Sequence, residues 1–119
     1  ERQQMDAAAQ RILATLDAGQ YGSAWDGGAP LLKNSITREA FEKQLQSARG
    51  LVKDWRTRAM AETTFHDTLP DGTPGRAAAI YNEVECGKAS CEEQVVLQNV
   101  DGSWLLAGYH VEKKISISL

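Results

Sequence analysis

Two cysteines, three prolines, two histidines and two phenylalanines are all that 119 residues contain of those types. No apolar run approaches the roughly 20 residues that cross a bilayer, so no membrane span is expected. The chain opens on the polar string Glu1, Arg2, Gln3, Gln4, without the basic start and apolar stretch of a leader; any signal peptide is expected to have been removed. Thirteen Lys and Arg against sixteen Asp and Glu give a net charge of -3, and the basic residues are scattered. That excludes the cationic stripe that binds phosphate backbones, and nucleic acid with it. Two distant histidines and two cysteines do not supply a metal set, and there is no nucleophile elbow and no Gly-rich phosphate loop. Neither a metal nor a cofactor is expected.

What is there has globular proportions: 42% hydrophobic and 24% charged residues. The length suits one domain, 1–119, whose folding hides about two-thirds of the surface of the unfolded chain.

Met5, Ala8, Ala9, Ile12, Leu13 and Leu16 recur at three- and four-residue steps, which predicts a helix over 3–18, ended by Gly19. A second helical piece is expected over 20–26, broken by Gly27 and Gly28, with a brief turn from Pro30 to Leu32. Thr37 reads as the N-cap of a helix over 37–51, with Glu39 in its first turn and Ile36 placed to staple Phe41. Beyond Arg58 the pattern becomes extended. Strands are expected over 58–69, 76–86, 91–98 and 104–112, joined by short loops into an antiparallel meander, and the alternating tail Ile115, Ser116, Ile117, Ser118, Leu119 is a fifth edge strand or a frayed end. The fold class is α+β: N-terminal helices packed on a curved four- to five-stranded antiparallel meander.

Cys86 and Cys91 enclose Gly87, Lys88, Ala89 and Ser90, a turn composition between extended segments. Opposed across a hairpin, the pair can close a structural disulfide, which adds about 2 kcal/mol in the chain-entropy model and indicates an oxidising compartment. The other readings are free thiols, a redox pair and half a metal site. With Cys86 set opposite Cys91, Val84 faces Glu93, Asn82 faces Val95 and Ile80 faces Leu97. For the last hairpin, a bulge at Gly102 is expected, which puts Leu105, Ala107, Tyr109 and Val111 on the helix-covered face; a two-residue Asp101-Gly102 turn would shift the parity by one and put Gly108 and His110 there instead.

The other face then carries a candidate binding surface of Tyr81, Glu83, Glu85, Glu92, Trp104 and His110, aromatic in its middle and acidic at the hairpin tip. Such a surface suits a basic protein or peptide, although a partly covered outer face with a solvated tip has the same composition. A candidate cavity between helices and sheet, lined by Phe41, Leu105 and Tyr109, suits an apolar small molecule. His66 and Asp67 are adjacent in a strand and point to opposite faces, and His110 has no assignable partner, so no catalytic residues are expected. The three tryptophans, Trp25, Trp55 and Trp104, each adjoin an apolar stripe and read as core or core-edge residues.

Leu16 to Tyr21 (Leu-Asp-Ala-Gly-Gln-Tyr), then Ser23, Ala24, Trp25 and Asp26, resemble the helix-to-helix junction of the bacterial domain of unknown function 4019 family. Asp101, Gly102, Ser103, Trp104, Ala107, Gly108 and Tyr109 resemble its ending, and Ile36, Thr37, Arg38, Glu39, Phe41, Arg49, Gly50 and Arg58 fall where it has a helix and an arginine-flanked turn. The cysteine pair is not part of that pattern. The resemblance implies a periplasmic or secreted domain with a cystatin-like or nuclear-transport-factor-like cone, and no known activity. The expectation is a non-catalytic extracytoplasmic binding domain; the alternatives are a periplasmic inhibitor or immunity-type protein and a cone-fold enzyme doing acid-base chemistry. A homodimer through the unprotected tail at 115–119, as an edge strand, fits any of these.

Overall fold

The structure, a computed structural model, describes residues 1–52 and 54–114. Four α-helices precede four strands: α1 (Arg2–Asp17), α2 (Tyr21–Asp26), α3 (Pro30–Ser35) and α4 (Arg38–Arg49), then a 3-10 turn (Trp55–Thr57), β1 (Ala59–Thr68), β2 (Pro74–Cys86), β3 (Ala89–Val100) and β4 (Ser103–Lys113). The sheet has the order β1-β2-β3-β4, every pair antiparallel. The α+β order and the meander expected from the sequence are both present. The proposed fifth strand at 115–119 lies outside the described residues.

α1 buries Met5, Ala8, Ala9, Leu13 and Leu16, the stripe its periodicity marks, and Gly19 follows it at φ +77°, a conformation that favours glycine. The Thr37 side chain accepts a hydrogen bond from Ala40 N–H at 3.2 Å and so caps α4, which buries Phe41, Leu45 and Arg49. The turn expected at Pro30 is the full short helix α3, with proline at its first position. Against the helices the sheet lays Ala78 and Ile80 of β2, Val95 and Leu97 of β3, and Trp104 and Leu106 of β4, forming one core; Val52, Val84, Cys91 and Val111 form a second, smaller one.

Two expected registers are corrected. Cys86 pairs with Ala89, and Cys91 with Val84, because the hairpin turns on two residues, Gly87 and Lys88, with Gly87 at φ +69°. Glycine at the first central position is what a type II′ turn demands. The Cys86–Cys91 disulfide therefore runs diagonally, with Cα atoms 5.8 Å apart. The shift is two residues, so side-chain parity survives: Asn82 meets Glu93 and Ile80 meets Val95, still on the helix-covered face.

The last hairpin also turns on two residues, Asp101 (φ 52°) and Gly102 (φ 91°), rather than on a bulge at Gly102. Positive φ at both places is the type I′ geometry for which Asp-Gly is suited. The bulge lies further on, between Val96 and Leu97 on one strand, where Leu97 pairs with Leu106 and Val96 with Gly108, leaving Ala107 as the extra residue. Trp104 and Leu106 consequently face the core and Leu105 faces outward, while beyond the bulge Tyr109 and Val111 return to the core side.

Candidate functional site

The residues expected to form a site separate into three places. Trp104 leaves the candidate surface: it is 5% exposed and packs edge-on against Phe65, with ring centroids 6.0 Å apart. Phe41 is part of the filled core and Leu105 is on the opposite face of the sheet, so Phe41, Leu105 and Tyr109 line no common cavity. A groove of about 620 Å³ lies instead between α4 and β4, lined by Leu45, Ala48, Leu51, Tyr109, His110 and Val111 among others. Tyr81, Glu83, Glu85, Glu92 and His110 remain on the outer face.

Sequence reasoning missed a buried polar cluster on the helix-covered side. Glu93 is 0% exposed, and Arg49 and Asn82 are nearly as deep. Arg58, just before β1, grips Glu93 with Nε to Oε1 at 2.7 Å and Nη2 to Oε2 at 3.0 Å. Asn82 Nδ2 donates to Oε1 at 3.0 Å, and the Tyr109 hydroxyl donates to Oε2. A carboxylate accepts about four hydrogen bonds, so Glu93 is saturated by protein donors.

Arg58 also holds Asp17, at the end of α1, through Nη1 and Nη2 at 3.0 Å each, and Arg49 Nη2 donates to the same carboxylate. Trp55 closes the cluster, its ring 3.8 Å from the Arg49 guanidinium carbon and 4.9 Å from that of Arg58, cation–π geometry in both cases. Two arginines against two carboxylates leave the cluster neutral, the condition under which charges can be buried. Partial burial would raise the Asp17 carboxyl, but hydrogen bonds from Arg58 and Arg49 outweigh it and hold it below the ordinary 3.8. Burial and the neighbouring Glu93 charge push the Tyr109 hydroxyl well above the usual tyrosine range. The signal was in the alternation: Asn82 falls between Ile80 and Val84, and Glu93 between Cys91 and Val95, at core-facing positions.

The outer face is organised in rows across the strands, successive rows about 7 Å apart. Ala79, Val96 and Gly108 form a flat apolar row through the pairs Ala79↔Val96 and Val96↔Gly108. Tyr81, Gln94 and His110 form the next, and Glu83, Glu92 and Glu112 the third. Pro70 overhangs two clefts here. One, of about 240 Å³, is lined by residues that include His66, Tyr81, Gln94 and Val96; the other, of about 360 Å³, by Leu31, Asp71, Gly108 and His110 among others. Gln94 Nε2 donates to the Tyr81 hydroxyl at 3.4 Å. Glu83 and Glu92 stand directly opposite, an unfavourable pairing of like charges, and Lys114 Nζ reaches Glu83 at 2.6 Å and lowers its carboxyl. Glu85 is exposed beyond the row. The His110 ring lies 3.3 Å from Glu112. His66 meets Thr64 Oγ1 at 2.8 Å, while Asp67 accepts from Arg76 Nη1 at 2.9 Å. Among the described residues no group of three or more His, Cys, Asp or Glu is placed to hold a metal, and no helix is long and apolar enough to cross a membrane.

The sequence profile described as protein of unknown function (DUF4019) matches residues 8–109, from the first turns of α1 to Tyr109 of β4. The chain belongs to this family. The span the family shares therefore contains Asp17, Arg49, Arg58, Asn82, Glu93 and Tyr109, every polar member of the buried cluster. No curated protein and no solved structure matches the chain.

Proposed function

We propose that the protein is a non-catalytic, extracytoplasmic binding domain that takes a basic polypeptide segment on the outer face of its sheet. The observation that carries this reading is the set of rows: an apolar strip under Pro70, then the hydrogen-bonding row Tyr81, Gln94 and His110, then the carboxylates of Glu83, Glu92 and Glu112. Cross-strand repulsion between Glu83 and Glu92 is relieved by a bound Lys or Arg, and the strip offers an apolar side chain somewhere to lie. The saturation of Glu93 supports a structural role for the interior charges, since a carboxylate holding four donors is not free to act as a base. The Cys86–Cys91 pair supports an oxidising compartment. An inhibitor that neutralises a basic partner is the form of binding this surface suits best.

Titrating an extended peptide of alternating leucine and lysine into isotope-labelled protein tests the reading by NMR. Shifts should concentrate at Tyr81, Glu83, Glu92, Gln94 and His110, weaken with added salt, and vanish in E83K/E92K while the circular dichroism spectrum stays unchanged. Binding that ignores E83K/E92K, or shifts confined to the helices, would defeat it. One observation favours a second reading, an apolar small molecule: Leu51, 49% exposed, rims the groove between α4 and β4. Under that reading a hydrophobic dye would be displaced from L51D but not from E83K/E92K.

A further inference from the structure

The sheet has two edges, and they are treated differently. At the β4 edge the chain between α2 and α3 comes alongside: Ala29 N–H donates to Leu106 O at 2.8 Å, and a Cβ on Gly28 would meet that same oxygen at 3.2 Å. A backbone group of the edge is thereby satisfied and the approach closed. The β1 edge has no such cover. Among the described residues nothing pairs with its outer side; Ala59 to Glu62 and His66 to Thr68 are exposed, and Met60 is 58% exposed. It carries no lysine and no proline, two of the features that keep an open strand from pairing; a third, the bulge, is confined to its two ends.

The pairing of β1 with β2 is regular only from Glu62 to His66, with a register shift on each side, between Met60 and Glu62 and between His66 and Thr68. Thr64 is the centre of that stretch. A two-fold axis through Thr64 would pair it antiparallel with its own copy, setting Thr64 against Thr64, Thr63 against Phe65, and Glu62 against His66 twice. Each imidazole N–H can then donate to a carboxylate, and no like charges are opposed. Glu62, Thr64 and His66 pair with Tyr81, Ala79 and Ala77, so all three stand on the outer face.

We propose that β1 is an interface, and that its occupant is β1 of a second copy of this chain, paired antiparallel about Thr64. The result is one eight-stranded sheet whose two outer faces are continuous. The proposal rests on the edge and its charge pattern, independently of what the outer face binds.

Sedimentation over a range of concentrations, with circular dichroism as the control for folding, tests it through a charge swap. The wild-type protein should self-associate. H66E, which sets Glu62 against a second glutamate at two symmetric contacts, should weaken the dimer about tenfold, and E62K/H66E should restore it. A protein still monomeric at about 1 mM would overturn the proposal. So would a dimer indifferent to H66E and to the swap. A protein that binds a synthetic peptide of the β1 sequence without associating with itself would also overturn it, by assigning the edge to a foreign strand.

Discussion

Glu92 and Glu93 are consecutive residues of one strand with opposite fates. Glu93 points under the helices, 0% exposed and holding Arg58, Asn82 and Tyr109; Glu92 points outward, between Glu83 and Glu112, with carboxylates on both sides. Nothing in the side chain distinguishes them. Parity does: β3 alternates, and the pairing of Glu93 with Asn82 and Val111 fixes which of the two is covered. The comparison teaches that acidic composition is a poor guide to purpose here. One glutamate ties three strands and the segment before β1 together, and through Arg58 reaches Asp17 at the end of α1; the other stands in a row of three carboxylates for which Lys114, on Glu83, is the nearby cation.

The comparison breaks most visibly at Glu93. E93Q keeps the shape but removes the charge, leaving the buried Arg49 and the partly buried Arg58 with only Asp17 between them, and should cost about 3–5 kcal/mol of unfolding free energy in urea titration. That is a large share of the roughly 5–15 kcal/mol a domain has. A loss below about 1 kcal/mol would mean that water already compensates the cluster. Acid attacks the same cluster through Asp17. Its carboxyl is held below 3.8 in the folded chain, so it contributes stability above that value and loses the contribution as pH falls through the lowered one. Acid unfolding of the wild type should therefore steepen below about pH 4, and in D17N that part of the pH dependence should be absent.

A smaller effect sits at Tyr109. Y109F removes the hydroxyl donor to Glu93 Oε2 but leaves Arg58 Nη2 on the same oxygen at 3.0 Å. The ring stays packed beside Val111 and Val84. A cost of about 1–2 kcal/mol is expected from denaturant midpoints, the loss of one hydrogen bond to a charged group. If Y109F cost as much as E93Q, Tyr109 rather than the arginine would be the main support of the carboxylate.

Much of this arrangement was legible in the sequence. Thr37 capped a helix where it was expected to, and the apolar stripe of α1 marked its buried face; the glycines at 87 and 102 marked where the chain turns but not that each turn takes two residues. The reading failed where one residue changes parity. The bulge lies at Ala107, next to Gly108, and was placed instead at Gly102, so Trp104 and Leu105 were assigned to each other's faces. The polar cluster was hidden for a different reason. Asn82 and Glu93 occupy core-facing positions, which is a local signal; but their partners are remote, Arg58 lying 41 residues from Asp17 and 35 from Glu93. Arg49 and Arg58 therefore read as the flanks of a turn, when in the fold both hold the C-terminal end of α1 and Arg58 ties it to the middle of β3.

The smallest change in stability is expected from E92K, and its sign is the informative part. In the folded chain Glu92 faces Glu83 on one side and Glu112 on the other, both unfavourable, so a lysine there turns two repulsive cross-strand pairs into attractive ones. Exposure and the nearby Lys114 Nζ, already 2.6 Å from Glu83, keep the gain small. Thermal melts should show E92K unchanged or stabilised by a few tenths of a kcal/mol. On the proposed function the same substitution should weaken the binding of a basic segment, since it puts a cation in the row proposed to receive one. Opposite movement of stability and affinity is what a face shaped for a partner gives; a face that is merely solvated gives the first without the second.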